Sequence, residues 1–154
     1  METTINNAST TVDREITATR VFDAPRELVW KVWTEPEHII KWWGPNGFTS
    51  TINKMEVKPG GVWQFIMHSP DGVNFENKII YVEVEKPYRL VYDHVSGPKF
   101  HVTVTLEEED GKTKLTMQML FDTAAERNRT IEIFNAVEGL NQTIGKLKEY
   151  LTKI

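Results

Sequence analysis

Among the four histidines and 22 acidic residues of this sequence, the candidates for a general acid or base are His94 and Glu138, joined at a higher pKa by Tyr92. Proton transfer near neutral pH needs an imidazole or carboxyl displaced from its ordinary pKa by an apolar surrounding, so each would have to face a pocket. His94 shares the phase of Leu90 and Tyr92 on a run of alternating residues, which sets it on an apolar strand face. Glu138 stands beside an apolar helical stripe, a position that suits solvent equally well. No partner completes a dyad or triad around either, so no residue is given a catalytic role and the sequence reads as a binding protein before an enzyme. Metal ligation fares no better: His101 runs with Thr103 and Thr105, opposite in phase to His94, and no HExxH or His/carboxylate cluster has ligand spacing. Neither metal nor cofactor is expected, since GxSxG, P-loop and GxGxxG patterns are missing too. The sequence has no cysteine, which excludes thiolate nucleophiles, thiolate metal sites and disulfides.

What remains is an apolar and aromatic inventory. Trp63, Phe65 and Met67 share one face of a run, as do Leu90, Tyr92 and His94 on a second, Phe100, Val102, Val104 and Leu106 on a third, and Leu115, Met117, Met119 and Phe121 on a fourth. Such rows suit plain core packing; together, wide aromatics and flexible methionines also suit an adaptable pocket. Trp33 and Trp43, with Phe48 at the end of a Gly44–Phe48 loop, are candidates for a mouth that stacks on a flat ligand, the loop acting as a movable lip. Phe134, Val137, Glu138 and Asn141 are the candidates from the C-terminal segment. Gly139 lies inside that helix, where glycine costs about 1 kcal/mol relative to alanine; either a close approach or room for a ligand would offset it.

These residues must be carried by strands and one helix. Glu15 to Phe22 alternates as a strand. Asp23-Ala24-Pro25 and Thr34-Glu35-Pro36 each start a short helix, the second running through Ile39, Ile40 and Trp42. Further strands are predicted over 48–55, 63–68, 77–84, 88–95, 99–106 and 114–121, separated by Pro59-Gly60-Gly61, Ser69-Pro70-Asp71-Gly72, Glu85-Lys86-Pro87, Ser96-Gly97-Pro98 and Asp110-Gly111. Thr123 to Glu126 forms a capping box, and Ile133, Val137, Leu140, Ile144, Leu147, Leu151 and Ile154 recur at helical spacing. The order is α+β: a curved seven-strand antiparallel sheet wrapping one long C-terminal helix, with two short helices after the first strand.

Charge and length narrow the partners. At 154 residues with net charge −4 the chain has no electrostatic footprint for nucleic acid, and no apolar run reaches the roughly 20 residues that span a bilayer. Residues 1–13 read as a disordered tail without the pattern of a signal peptide, ahead of one domain over 14–154, and the protein is expected in the cytoplasm.

The run Arg20-Val21-Phe22-Asp23-Ala24-Pro25, followed by Val29-Trp30, Trp33-Thr34-Glu35-Pro36 and Trp42-Trp43-Gly44-Pro45, resembles the SRPBCC (START-like, helix-grip) superfamily. More narrowly it resembles the branch named for the activator of the heat-shock chaperone ATPase, through Pro59-Gly60-Gly61-Val62-Trp63, Pro87-Tyr88-Arg89-Leu90-Val91 and Glu138-Gly139-Leu140. The resemblance implies a helix-grip fold with a cavity between sheet and helix, walled by Trp63, Tyr92, Met117 and Met119 and roofed by Val137 to Asn141. It implies binding of a hydrophobic or aromatic small molecule such as a lipid, polyketide or antibiotic. The branch also holds cyclase-like relatives and co-chaperones, so the alternatives are an enzyme of cyclase or hydrolase type using the same cavity, or a stress-response module acting on a heat-shock chaperone. The best-known chaperone activators carry a further N-terminal domain that this sequence does not contain.

Overall fold

A computed structural model describes residues 11–154. Of the tail expected over 1–13, residues 1–10 lie outside that range, and 11–13 form a turn closed by the Arg14 N–H donating to the Thr11 carbonyl at 3.0 Å. The chain then runs β1 (Glu15–Phe22), α1 (Arg26–Thr34), α2 (Pro36–Ile39), β2 (Thr49–Met55), β3 (Val62–His68), β4 (Asn74–Glu85), β5 (Arg89–His94), β6 (Phe100–Glu109), β7 (Lys112–Leu120), α3 (Ala124–Phe134) and α4 (Ala136–Leu151).

The strands form one antiparallel sheet in the order β1-β7-β6-β5-β4-β3-β2, a meander from β2 to β7 to which β1 is added beside β7. Its inner face is written in the alternation: Ile16, Ala18 and Phe22 of β1 are buried, as are Val102, Val104 and Leu106 of β6 and Leu115, Met117 and Met119 of β7. Each such aliphatic or aromatic side chain withdrawn from water contributes about 1.5–3 kcal/mol. Register shifts between Ile52 and Lys54 and between Tyr81 and Glu83 bulge β2 and β4 and help bend the sheet around the helices. At the β6–β7 turn Asp110 (φ 52°) and Gly111 (φ 79°) supply the paired positive φ that a two-residue hairpin of the right twist demands.

Two of the expected helices are shorter than the sequence suggests. The second ends at Ile39, and Ile40 and Trp42 follow it in turn backbone. The C-terminal helix is two helices, interrupted at Asn135 (φ 52°, ψ 47°). Asparagine is one of the few residues other than glycine that enters the left-handed region readily, so it ends α3 and re-aims the chain into α4. The apolar stripe does not survive the break: Ile133, Val137 and Ile154 are exposed, at 62%, 42% and 51%, while Ile144, Leu147 and Leu151 remain buried. The capping position holds, with the Glu126 N–H donating to the Thr123 hydroxyl at 3.0 Å, a contact worth about 1 kcal/mol.

Along the strands the inner face is divided in two. Val104, Leu106, Leu115, Leu147 and Leu151 fill one half with aliphatic side chains, together with Val29 and Phe22. The other half, where Phe65, Tyr92, Phe100, Met117 and Met119 stand, is not filled.

Candidate functional site

The unfilled half is a cavity of about 480 Å³, inside the range of roughly 300–1,000 Å³ typical of small-molecule sites. Its sheet wall comes from Phe65 and Met67 on β3, Phe75, Asn77 and Ile79 on β4, Tyr92 and His94 on β5, Phe100 on β6, and Met117 and Met119 on β7. Trp33 of α1, with Trp42, Trp43, Gly44, Pro45 and Phe48 after α2, closes one end. The helical side is Thr130 and Phe134 of α3 and Ala136, Gly139, Leu140, Thr143 and Ile144 of α4. Phe134, 50% exposed, stands where this wall meets solvent.

Of the residues expected at the site, Trp33, Trp43, Phe48, Phe65, Met67, Tyr92, His94, Met117, Met119 and Phe134 line this cavity. Four do not. Trp63 is fully buried behind the wall, stacked on Phe65 with ring centroids 4.3 Å apart and edge-on to Trp43 at 5.1 Å. Period two gave its face correctly but not its depth. Val137, Glu138 and Asn141 point outward because the break at Asn135 re-phases α4: the Asn141 side chain accepts from Arg20 (2.7 Å), and Glu138 accepts from Gln142 (3.3 Å). The roof is instead Ala136, Gly139, Leu140 and Thr143.

Trp42, Phe75, Asn77, Thr130 and Thr143 are wall residues that the pattern did not single out for the site, and Phe100, named only within its apolar row, joins them. Trp42 was placed only at the end of the second short helix, and its indole N–H donates to the Val32 carbonyl at 3.1 Å. The two threonines sit inside helices and donate to the carbonyls four residues back, Glu126 and Gly139, both at 2.8 Å. That local satisfaction lets a hydroxyl residue pack against an apolar space.

The polar centre of the wall is His94, 7% exposed and stacked on Phe100 at 4.6 Å with a 3° interplanar angle. Its Nδ1 lies 2.7 Å from the Pro98 carbonyl and its Nε2 2.7 Å from Asn77 Oδ1. A carbonyl only accepts, so Nδ1 carries the proton of the neutral ring, while the Asn77 NH₂ donates to the Phe75 carbonyl at 2.9 Å. Burial holds the His94 pKa below the ordinary histidine value, opposed in part by backbone carbonyls that favour the protonated ring. With both nitrogens engaged, no lone pair is left over for substrate. His101 faces away, paired with Asp93 at 2.6 Å, so the two histidines cannot share a metal. Among the described residues no group of three His, Cys, Asp or Glu side chains is placed to hold one.

The loop expected as a lip is fastened to α4. Lys146 Nζ donates to the Gly44 and Pro45 carbonyls at 3.1 and 3.2 Å, and the Asn46 N–H donates to the Gln142 side chain at 3.0 Å. Burial lowers the Lys146 pKa. No helix among the described residues is long and apolar enough to cross a membrane.

The family model described as Activator of Hsp90 ATPase homolog 1-like protein matches residues 23–152. None of the curated proteins compared with the chain matches it. Solved structures do. A protein from Nitrosomonas europaea is 25% identical over 92% of this chain and 96% of its own, with a TM-score of 0.82. Two others share the fold: one from Arthrobacter aurescens (24% identity, 92% of this chain and 88% of that one, TM-score 0.86) and one from Mycobacterium smegmatis (23%, 92% of each, TM-score 0.83).

Proposed function

The chain belongs to the Activator of Hsp90 ATPase homolog 1-like family, a branch of the SRPBCC superfamily, and from that premise we propose that it binds a hydrophobic or aromatic small molecule between sheet and C-terminal helices, without catalysing its conversion. The observation that carries this reading is the contrast within one inner face: side chains such as Phe22, Leu106, Leu115 and Leu147 close part of it, while Trp33, Trp43, Phe65, Phe100, Met117 and Met119 border an open volume. Plain core packing would leave no such space, because interiors close to crystal density. Affinity would come from apolar area removed from water, about 25 cal/mol per Å², with aromatic contacts setting shape. The reading takes residues 14–154 as one cytoplasmic binding domain.

Titration with Nile red and a panel of aromatic natural products tests it. Saturable one-to-one binding is expected, with amide and indole signals of Trp43, Phe65 and Met119 shifting. No saturable, cavity-directed shift with any compound would defeat the proposal.

A second reading is a docking role toward a heat-shock chaperone, favoured by one observation: Ile133, Phe134 and Val137 form an exposed apolar knuckle around the Asn135 break. An ATPase stimulation assay with the chaperone decides it; no stimulation at micromolar protein would remove it.

A further inference from the structure

We propose that the cavity selects an uncharged, flat aromatic or polycyclic molecule bearing a hydrogen-bond-accepting oxygen, which accepts from the Tyr92 hydroxyl, and that it rejects the corresponding carboxylates. The inference rests on the cavity-binding reading and deepens it. Three observations carry it.

The first is the charge of the wall. No lysine or arginine lines the cavity; Glu76 is its one ionisable acid, near the β3–β4 hairpin. Lys146, the nearest cation on α4, is spent on the Gly44 and Pro45 carbonyls. A carboxylate entering this space would lose its hydration and meet a like charge with no cation to compensate. Free fatty acids and other anions therefore fit poorly, whereas a neutral molecule crosses the same wall without that cost.

The second is the state of the polar groups. The His94 nitrogens, the Asn77 amide, and the Thr130 and Thr143 hydroxyls are all bonded within the protein. Tyr92 is different: it is 2% exposed, lines the cavity, and its hydroxyl has no hydrogen-bond partner among the described residues. A hydroxyl at the cavity wall that the protein leaves without a partner is free to donate, and a ligand oxygen placed there gains a hydrogen bond. Burial pushes the Tyr92 phenol far above its ordinary pKa, with its neighbour Tyr81 adding to the effect, so the group stays O–H and serves as donor.

The third is shape. Trp33, Trp42 and Trp43 meet edge to face, with ring centroids 4.9 to 6.3 Å apart, and continue through Phe65. Phe100 carries the aromatic lining on to His94, on which it stacks, and is itself backed by Phe121 with ring centroids 5.3 Å apart. Rings so arranged present flat faces and edges, the surfaces on which a planar ring system packs better than a flexible acyl chain.

The test is a matched series on the full chain at pH 7.5: 2-ethylnaphthalene, 2-acetonaphthone and 2-naphthoate, followed by tryptophan fluorescence. The ketone is expected to bind about 5-fold tighter than the hydrocarbon, the worth of one neutral hydrogen bond, and at least ~10-fold tighter than the carboxylate. Tyr92→Phe should abolish the ketone's advantage, with ketone and hydrocarbon binding equally on the variant itself; its melting temperature serves as the folding control. The comparison of ligands on the unmodified protein stands even where the variant does not fold. Naphthoate binding as tightly as the ketone, or a ketone preference that persists in Tyr92→Phe, overturns the inference. Hydrocarbon binding without any ketone preference sinks this inference alone, whereas failure of all three to bind sinks the cavity reading with it.

Discussion

Gly139 tests why the roof of the cavity is built as it is. A Cβ placed there would lie 3.5 Å from Pro45 Cγ, an ordinary van der Waals contact, and one at Gly145 would meet nothing within 4 Å. Sterically, then, alanine fits both positions. Each glycine sits inside α4, where alanine is worth about 1 kcal/mol more, and a chain of this length gains ~2–4 °C in Tm per kcal/mol. Gly139→Ala and Gly145→Ala should therefore each raise Tm by roughly that amount, and by similar amounts. What glycine supplies at 139 is room, since Gly139 borders the cavity and Gly145 does not. Gly139→Leu has no seat against Pro45 and must direct its side chain into the open volume, so Nile red affinity should fall by at least ~10-fold while the fold persists. Paired thermal melts and dye titrations of the three variants give the answer. A Tm that falls in Gly139→Ala while rising in Gly145→Ala would mean that the helix–loop seat tolerates no methyl; full dye affinity in Gly139→Leu would mean that the roof lies elsewhere.

Lys146→Met removes both donors to the Gly44 and Pro45 carbonyls; the loop should loosen, with faster amide exchange at Asn46 and faster ligand dissociation in stopped flow, and unchanged rates would contradict a latch. Asn135→Ala forces a Cβ-bearing residue without a compensating amide into the left-handed region, so urea unfolding should show a loss of about 1 kcal/mol, and Asn135→Gly little or none. His94 has a folded pKa below its unfolded one, so the unfolded chain binds the extra proton: its contribution to stability is full above pH ~6.5 and is lost as pH falls below that value toward the folded pKa. Melts from pH 8 to 5 should show that slope reduced in His94→Gln, and an identical slope would exclude the linkage.

The fold was legible because its signals are local and repeated. Alternation in Phe100–Leu106 and Leu115–Phe121 marks buried faces, and turn chemistry at Ser69–Gly72 and Asp110–Gly111 marks the reversals. The site was legible only as far as phase goes. Trp63 and Phe65 are equivalent in period two, yet Trp63 lies behind its neighbour, because depth depends on what Trp43 does from another element. The helix break was hidden by its own stripe: Ile133 and Val137 keep the spacing of the residues that follow, and only Asn135 hints at a change of direction. Asn77 and His94 are 17 positions apart, and nothing along the chain announces that they bond.

The placement of β1 bears on how the molecule is made. Its partner in the sheet, β7, lies roughly a hundred residues downstream, so this pairing is among the most non-local in the molecule and slow to form. During synthesis the first strand emerges with Ile16, Ala18 and Phe22 unpaired, and it stays so until the last hairpin leaves the ribosome. The opposite edge has no such wait, since β2 to β7 pair with successive neighbours as they appear. A nascent chain halted before Lys112 would thus hold most of a meander and no place for its first strand, the state in which a chaperone has most to protect.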